Sequence, residues 1–473
     1  MTAPATNTSA PSTPDAPSGS GSDRPRTLKR QLGLPALIAY GLTSMGVLSV
    51  VSVYGPATAL SDGHLPAAYV AAIIIMLFTA HSYGRMAAHV PITGGAYAYV
   101  TRGFGSVTGF LTGWVMLLDY LFLPMVNFLL FGLYFNSLFT AIPSWVGTLI
   151  CIAIVAVLSI VGVNWIKRMN TVVISASVLV ILAFLVLAVL NAPDLTLESV
   201  TTPLSIGSGG IAPILAAAAI VAFAFLGFDG VSTLAEETTN PRRTVPKGIV
   251  LATLFAGLGY LAFSIAGSLI APDWTQLENL DAAGTELMQR AGGDVLMVVF
   301  VIVNVVGIVL CGAAAQMSVN RVLFAMGRDG ILPPALSKLH RRFRTPYVAA
   351  TLVSVVALVA LFITLDQAVY MINFGALVAF AMVNLATIKV LFFDMRLRSG
   401  WGVVRHLIMP VIGFVSIAWL WTSLAPFTYA LGGAWLVIGV IVYIARRKRH
   451  GGPLALQLEG ADTETMPTLP YRD

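Results

Sequence analysis

The sequence has few charged residues and only two cysteines. Charged residues make up 10% of its 473 residues, whereas a typical soluble domain carries about 25%. Hydrophobic residues make up 57%, and the mean hydropathy is +0.86. This composition excludes a soluble globular protein and predicts an all-α integral membrane protein. Because Cys151 and Cys311 both lie within apolar runs, neither a disulfide framework nor a metal site is expected.

Motifs for nucleotide and metal chemistry are also absent. The sequence contains no G-x-x-x-x-G-K-[ST] element, so primary active transport would require a partner protein. An intramembrane enzyme would need a catalytic set at one depth, but the histidines lie near the ends of the apolar runs or in loops, with no i, i+4 pair. They are His64, His81, His89, His340, His406 and His450. We therefore expect no enzymatic activity and no cofactor; a passive channel remains an alternative to a carrier.

Twelve apolar runs are present, each close to the roughly 20 residues that a membrane-spanning helix needs. They lie near 34–60, 65–84, 107–137, 143–164, 171–192, 211–235, 248–271, 295–320, 346–364, 368–393, 407–427 and 430–445. Twelve spans place both termini on the same side of the membrane.

The basic residues predict which side this is. With cytoplasmic termini, 26 of the 27 lysines and arginines fall on the cytoplasmic side and only Arg290 falls outside, as the positive-inside bias requires. The net charge of +6 therefore reflects membrane topology rather than nucleic-acid binding. The outer loops are acidic, which would concentrate cations, although ordinary solvated loops would look the same.

The chain is predicted to have one domain between two tails. Residues 1–31 begin with small, polar and Pro-rich sequence that cannot form a core and does not resemble a cleavable signal peptide. Residues 32–446 form the transporter domain, and residues 447–473 a second cytoplasmic tail.

Two interruptions divide the domain into halves. "YGLTSMG" (Tyr40–Gly46) and "GFDG" (Gly227–Gly230) place glycines and polar residues inside the first and sixth runs. Broken helices at matching positions indicate an inverted repeat with its binding site between them. We predict repeats at about 34–192 and 211–393 and two further helices at 407–445. Glycines that serve only close helix packing are the alternative reading.

Two acids lie inside apolar runs. An ionisable residue in a spanning helix is a functional candidate by default. Asp229 is predicted to contact a cationic substrate or a proton, or else to cap the broken helix. Asp119 has no deeply placed Lys or Arg to neutralise it, so both acids are candidates for proton coupling. The neighbouring Tyr120 offers an aromatic face to an ammonium group.

The remaining candidates surround the breaks. The predicted substrate contacts also include Tyr40, Thr43, Ser44, Phe225, Gly227, Phe228 and Asn304. Phe225 and Phe228 are candidate gates or core residues, and interhelical hydrogen bonding is the simpler role for Asn304. Salt bridges among Glu236, Glu237, Arg321 and Arg328 would form a cytoplasmic gate, unless these are merely solvated loop charges.

Six segments, in order, resemble a known superfamily. They are "SDGHLPAAY", "SYGRMAAHVPITGGAYAYV", "GWVMLLDYLFLPM", "FAFLGFDGVSTLAEET", "MGRDG" and "INFGALVAF". The sequence resembles the amino acid-polyamine-organocation superfamily over about residues 30–445, and within it the bacterial putrescine importers. The resemblance implies a twelve-helix inverted-repeat fold, proton-driven uptake, and a site between helices 1, 3, 6 and 8. It assigns Asp119 and Tyr120 to the third-helix element, and Gly227, Phe228 and Asp229 to the sixth-helix element.

The first helix departs from the pattern of amino acid permeases. Those proteins usually carry a Gly-small-Gly triplet that holds the substrate carboxylate, and Tyr40–Gly46 lacks it, which favours an amine. The putrescine importers carry an acid further along this helix, where this chain has Ser52, so one of the two separated carboxylates expected for a diamine is missing. This departure counts against putrescine itself more than against transport of an amine. We therefore expect a secondary active, proton-coupled importer of a polyamine such as putrescine, or of a related small organic cation. An amino acid permease or exchanger is the alternative, and sodium coupling remains open.

Overall fold

The computed structural model describes residues 32–46, 48–90, 95–161, 166–328, 333–341, 343 and 345–450. Within these ranges the chain is helical and contains no strand; the one isolated β-bridge joins Leu32 to Thr238. The α-helices are α1 Leu34–Met45, α2 Ser49–Ser52, α3 Tyr54–Leu60, α4 Leu65–His89, α5 Gly95–Phe104, α6 Ser106–Leu138, α7 Ser144–Val161, α8 Ile166–Leu190, α9 Leu197–Thr201, α10 Ile211–Val221, α11 Pro241–Ile270, α12 Ala283–Arg328, α13 Tyr347–Ala357, α14 Leu365–Thr387, α15 Gly400–Val403, α16 Met409–Thr422 and α17 Pro426–His450.

The described helices follow the predicted apolar runs in order. Ten of them are long and apolar enough to cross a membrane, and two shorter apolar helices lie at Ile211–Phe225 and Tyr347–Leu361. The predicted ends of several helices were wrong. For example, α4 continues five residues past position 84 to His89, and α11 begins at Pro241 rather than at 248. Charged residues end an apolar run without ending a helix, because they retain good helix propensity.

The first helix is interrupted at Gly46. Tyr40 to Met45 stay helical, so the break does not span the whole predicted stretch; the chain leaves the helix at Gly46, whose φ is +74°. It resumes as α2 and α3. Gly41 does not break the helix but lies in close packing, because a Cβ there would come within 2.6 Å of the Ala252 side chain.

The sixth helix is interrupted at Leu226 and Gly227, at the start of the predicted "GFDG" stretch. α10 tightens into a 3₁₀ turn at Ala222–Phe225, Leu226 is extended, and Gly227 has φ +109°. The chain then forms a 3₁₀ helix at Phe228–Glu237. Only glycine adopts the Gly227 conformation without strain. A Cβ at this position would also lie 2.6 Å from the Ser44 carbonyl oxygen, so the two breaks pack directly against each other.

The two interrupted segments run in opposite directions. The Leu32–Thr238 bridge is itself parallel, but the contacts shift in opposite directions along the two segments: Leu32 lies beside Thr238 and Thr239, Tyr40 beside Gly230, and Ser44 beside Gly227. Sequence position therefore rises along α1 as it falls along the facing 3₁₀ helix. An antiparallel pairing of this kind is what an inverted repeat produces.

A tyrosine on α11 lies between the two breaks. The Tyr260 hydroxyl is 3.0 Å from the Gly46 carbonyl oxygen, 3.0 Å from the Ala224 carbonyl oxygen and 3.2 Å from the Ser49 hydroxyl. Because the Ser49 hydroxyl donates to Gly46 at 2.8 Å, the single Tyr260 proton is available for Ala224. We call this group the break clasp: the Ser49 and Tyr260 hydroxyls donate to the Gly46 and Ala224 carbonyls at the two breaks, and the Gly46 carbonyl also accepts from the Ser49 backbone amide at 3.3 Å.

Most side chains just beyond the first break are buried. Val51, Ser52, Tyr54 and Ala57 are all buried. A Cβ at Gly55 would lie 1.9 Å from the Leu280 carbonyl oxygen, so the 3₁₀ turn Leu280–Ala282 packs directly on α3. This close contact covers the break on the side opposite α1.

We predict that Tyr260→Phe lowers the stability of the protein by about 1 kcal/mol, because it leaves the Ala224 carbonyl without a donor inside the helix bundle. The measurement is thermal unfolding of the purified protein in detergent. The variant should unfold at a lower temperature than the wild type.

Tyr69→Phe is the matched control. The Tyr69 ring lies 6.1 Å from the Tyr260 ring and is equally buried, but its hydroxyl makes no hydrogen bond. Its removal should leave stability unchanged or raise it. Equal destabilisation by the two variants would show that ring packing, and not the clasp, sets the effect.

Candidate functional site

Two carboxylates face each other near the breaks. Asp119 on α6 and Asp229 in the 3₁₀ helix interact electrostatically, and both are half-buried. Gly375 on α14 allows this placement, because a Cβ there would lie 3.1 Å from the Asp119 backbone nitrogen. Within the described part of the chain, the ion pairs are Arg290–Glu286 and Lys389–Asp394. Neither ion pair includes Asp119 or Asp229. We call these two residues the acid pair.

Asp229 also lies at the start of its own helix. It occupies the first turn of the 3₁₀ helix, where no side-chain capping hydrogen bond forms, but its own backbone amide and those of Gly227 and Gly230 lie where they favour its charge. An acid at a helix N-terminus is favourable because unpaired amides and the helix dipole are positive there. The capping role and a role in ligand contact therefore involve the same carboxylate.

Four tyrosines surround the acid pair. Tyr83 on α4 and Tyr120 on α6 interact electrostatically with both acids, and Tyr99 on α5 interacts with Asp229. Tyr40 on α1 interacts with Tyr120, and its ring contacts Gly230. We call these four residues the tyrosine shell. The hydroxyls of Tyr83 and Tyr99 are buried and form no hydrogen bond of ordinary geometry, so they are available to a ligand or to water.

Two phenylalanines pack against Tyr83, and we call the three rings the aromatic wall. The rings of Phe228 and Phe380 lie 5.5 Å and 5.8 Å from the ring of Tyr83, and 5.0 Å from each other. All three side chains are buried. Aromatic faces beside carboxylates form an environment that suits an organic ammonium group.

The polar residues of α1 line the side of the site next to its break. Tyr40 is 40% exposed, Ser44 is exposed, and Thr43 donates a hydrogen bond of 2.8 Å to the Ala39 carbonyl. The exposure of Tyr40 and Ser44 contrasts with the burial of Tyr54, Ala57 and Thr58 beyond the break.

Phe225 and Asn304 lie away from the acid pair. Phe225 is fully buried with its ring 5.5 Å from that of Tyr260, so it packs behind the break rather than facing Asp229. Its burial favours the core role over the gating role for this side chain. Phe228 instead joins the aromatic wall.

Asn304 belongs to a separate polar cluster. Ser52 and Asn304 both interact with the Tyr134 hydroxyl. That hydroxyl and the Asn304 amide nitrogen nevertheless lack hydrogen bonds of ordinary geometry. Tyr134 is 15 residues beyond Asp119 on α6, a rise of roughly 22 Å along the helix. Asn304 is therefore too far from the acid pair to share a short ligand with it.

The predicted charged gate cannot be assigned a geometry. The side chains of Glu236, Glu237, Arg321 and Arg328 lie outside the described residues. A backbone connection is present nearby: the Thr239 amide donates to the Leu32 carbonyl at 2.9 Å, and the Thr239 hydroxyl donates to it at 3.0 Å. This connection ties the start of α1 to the end of the 3₁₀ helix.

Sequence reasoning missed Tyr83, Tyr99, Phe380 and Tyr260. Each lies in an apolar or mixed segment. In such a segment a tyrosine is as typical of a membrane interface as of a binding site, and a phenylalanine is typical of the core. The unpaired hydroxyls that mark Tyr83 and Tyr99 are visible only after folding. Among the residues described, no group of three His, Cys, Asp or Glu side chains is placed to hold a metal ion.

The chain is similar to known membrane transporters over most of its length. The family model for amino acid permeases matches residues 32–445. The low-affinity putrescine importer PlaP of Escherichia coli K12 is 33% identical over 432 residues, which cover 90% of this chain and 96% of the relative. The branched-chain amino acid permease BcaP of Bacillus subtilis 168 is 28% identical over 451 residues, covering 90% and 94%. A methylthioribose transporter of the same bacterium is 26% identical over 441 residues, covering 88% and 94%.

The family match spans nearly the whole described helical region, and the putrescine importer aligns over almost its full length. The resemblance drawn from the sequence motifs is therefore confirmed. These relatives are transporters, and the chain is a multi-pass membrane protein. It belongs to the amino acid permease family of the amino acid-polyamine-organocation superfamily.

Proposed function

We propose that the protein is a secondary active importer of a polyamine such as putrescine, or of a related small organic cation, in the plasma membrane. The observation that carries this proposal is the acid pair, which has no basic partner among the described residues and lies within the tyrosine shell. A carboxylate inside a membrane protein needs a counter-charge. An ammonium group supplies that charge and three hydrogen-bond donors.

The Asp229 carboxylate beside the backbone amides of the second break favours an amine over an amino acid as the substrate. A substrate carboxylate would bind at the N-terminus of a broken helix. Here Asp229 already interacts with the Gly227 and Gly230 amides, and its negative charge would repel a second carboxylate. A relative that is a putrescine importer supports the same choice. The relatives that are branched-chain amino acid permeases keep amino acid transport as the second candidate.

The transport cycle would use the antiparallel pair of broken helices. We infer twelve spanning helices from the ten long and two shorter apolar helices, in a five-plus-five inverted repeat with cytoplasmic termini. The exposed face of α1 would then lead to the cytoplasm, and the Gly55–Leu280 contact would close the outer side. Opening that contact while closing α1 on the acid pair would give alternating access.

Asp229→Asn separates ligand contact from capping. Asparagine keeps an acceptor for the backbone amides but loses the charge, so we predict that saturable putrescine uptake into proteoliposomes falls by about 10- to 100-fold while thermal stability stays near the wild-type value. Asp294→Asn, at an exposed acid far along the chain from the breaks, is the control and should transport normally. Wild-type uptake by Asp229→Asn would contradict direct contact.

The tyrosine shell should matter through its hydroxyls as well as its rings. We predict that Tyr83→Phe weakens putrescine uptake moderately, and that Tyr83→Leu weakens it further, because the second change also removes an aromatic face worth about 0.5–2 kcal/mol to an ammonium group. The measurement is the concentration for half-maximal uptake. Competition by alanine and leucine as strong as that by putrescine and cadaverine would instead favour the amino acid alternative.

Proton coupling rests on the same two carboxyls. One of them would carry a proton while the other binds the amine, because two adjacent carboxylates repel each other. We therefore predict that an external acid pulse accelerates putrescine uptake in sodium-free proteoliposomes. Uptake driven by a sodium gradient alone, with no response to pH, would overturn this part of the proposal.

A further inference from the structure

A short turn connects two membrane-spanning helices on the side of α4 that bears Arg85. The preceding helix, Leu365–Asp394, and the following helix, Gly400–Thr422, are each long and apolar enough to cross a membrane. The turn between them must therefore lie at a membrane surface. It is bordered by two strongly exposed aromatic side chains, Phe393 at 51% and Trp401 at 73%. Exposed aromatic rings at this level are typical of contact with lipid headgroups.

Two arginines at this turn are held against aromatic rings. The Arg398 guanidinium lies 4.9 Å from the centre of the Phe392 ring, and its Nε donates to the Phe392 carbonyl at 3.0 Å. The Arg405 guanidinium lies 6.0 Å from the centre of the Trp401 ring. A guanidinium at these distances from a ring is attracted to it by a cation–π interaction and keeps N–H groups that can bind an oxyanion.

These arginines have no carboxylate partner within the described residues. The acid of the turn, Asp394, is already ion-paired with Lys389. Arg398 and Arg405 are both exposed and form no ion pair in the described structure. The turn thus presents two preoriented, unneutralised guanidinium groups at the bilayer surface.

We propose that this turn binds the phosphate of an anionic phospholipid headgroup through Arg398 and Arg405. Arginine matches phosphate in geometry and can donate two parallel hydrogen bonds to it. Positive residues beside a spanning helix are attracted to anionic lipid by about 1 kcal/mol each. The exposed Phe393 and Trp401 rings contact the acyl boundary of the same lipid. The surface has an excess of positive charge, which selects an anionic headgroup over a zwitterionic one.

The lipid site is joined to the substrate site through α4. His81 Nε2 donates to the Arg405 carbonyl at 3.1 Å. Arg85 donates to His406 Nε2 at 2.7 Å, so His406 carries its proton on Nδ1 and donates it to the Leu397 carbonyl at 3.1 Å. Tyr83 of the tyrosine shell lies between His81 and Arg85 on α4. A lipid that orders the turn therefore also orders the helix that carries Tyr83.

The test is a titration of the full-length protein in detergent with dioleoyl-phosphatidylglycerol, followed by thermal unfolding. The wild type should be stabilised by this lipid in a saturable manner, but not by dioleoyl-phosphatidylcholine or by inorganic phosphate at the same concentration. Arg398→Gln and Arg405→Gln should each weaken the apparent affinity about five-fold, and the double variant about 25-fold.

Two controls keep the charge change separate from the site. Arg290→Gln removes an arginine that is paired with Glu286 one helical turn away, near the start of α12. Lys389→Gln combined with Asp394→Asn removes the ion pair of the turn without changing its net charge. Both should bind phosphatidylglycerol as the wild type does. Stronger stabilisation by inorganic phosphate would overturn the lipid assignment.

Undiminished phosphatidylglycerol binding by the double variant would overturn the site. If the double variant does not fold, the two single variants decide, because each keeps one stacked guanidinium. Equal stabilisation of the wild type by phosphatidylcholine also contradicts the proposal. The readout is binding and stability, so it is independent of which substrate the protein transports.

Discussion

The structure depends on how unpaired backbone groups are satisfied where two helices break inside the membrane. A broken helix leaves carbonyls at the end of one half and amides at the start of the next, and each unpaired group costs several kcal/mol in hydrocarbon. Here the carbonyls of Gly46 and Ala224 are met by the Ser49 and Tyr260 hydroxyls. The amides at the second break lie beside the Asp229 carboxylate and favour its charge. Both sets of partners come from within the protein.

This arrangement explains why a carboxylate stands inside a spanning segment. Asp229 stabilises the start of the 3₁₀ helix, yet its charge is only partly compensated by backbone dipoles. Asp119 lies within electrostatic reach and adds a second acid. The surrounding tyrosines carry no positive charge. The site therefore carries negative charge without a positive partner among the described residues, and this charge suits a cation.

Sequence reasoning succeeded where the signal was local. The apolar runs predicted the order of the helices, and glycines next to polar residues indicated both breaks, within a few residues. Asp119 and Asp229 were recognisable because a carboxylate in an apolar run is rare. Helix ends were less predictable: α4 and α11 extend past the apolar runs because charged residues such as Arg85 and Arg242 are compatible with a helix.

What the sequence alone determined is the class of protein, the interrupted helices and the two acids. Only the tertiary structure decided which polar side chains meet. Tyr83 and Tyr99 reach Asp229, Tyr260 bridges the breaks, and Asn304 joins Ser52 and Tyr134 instead of the acid pair. The physical reason is that helices apolar on every side carry little information about their rotation. Their facing surfaces are fixed by close packing between distant segments, such as Ser44 on Gly227.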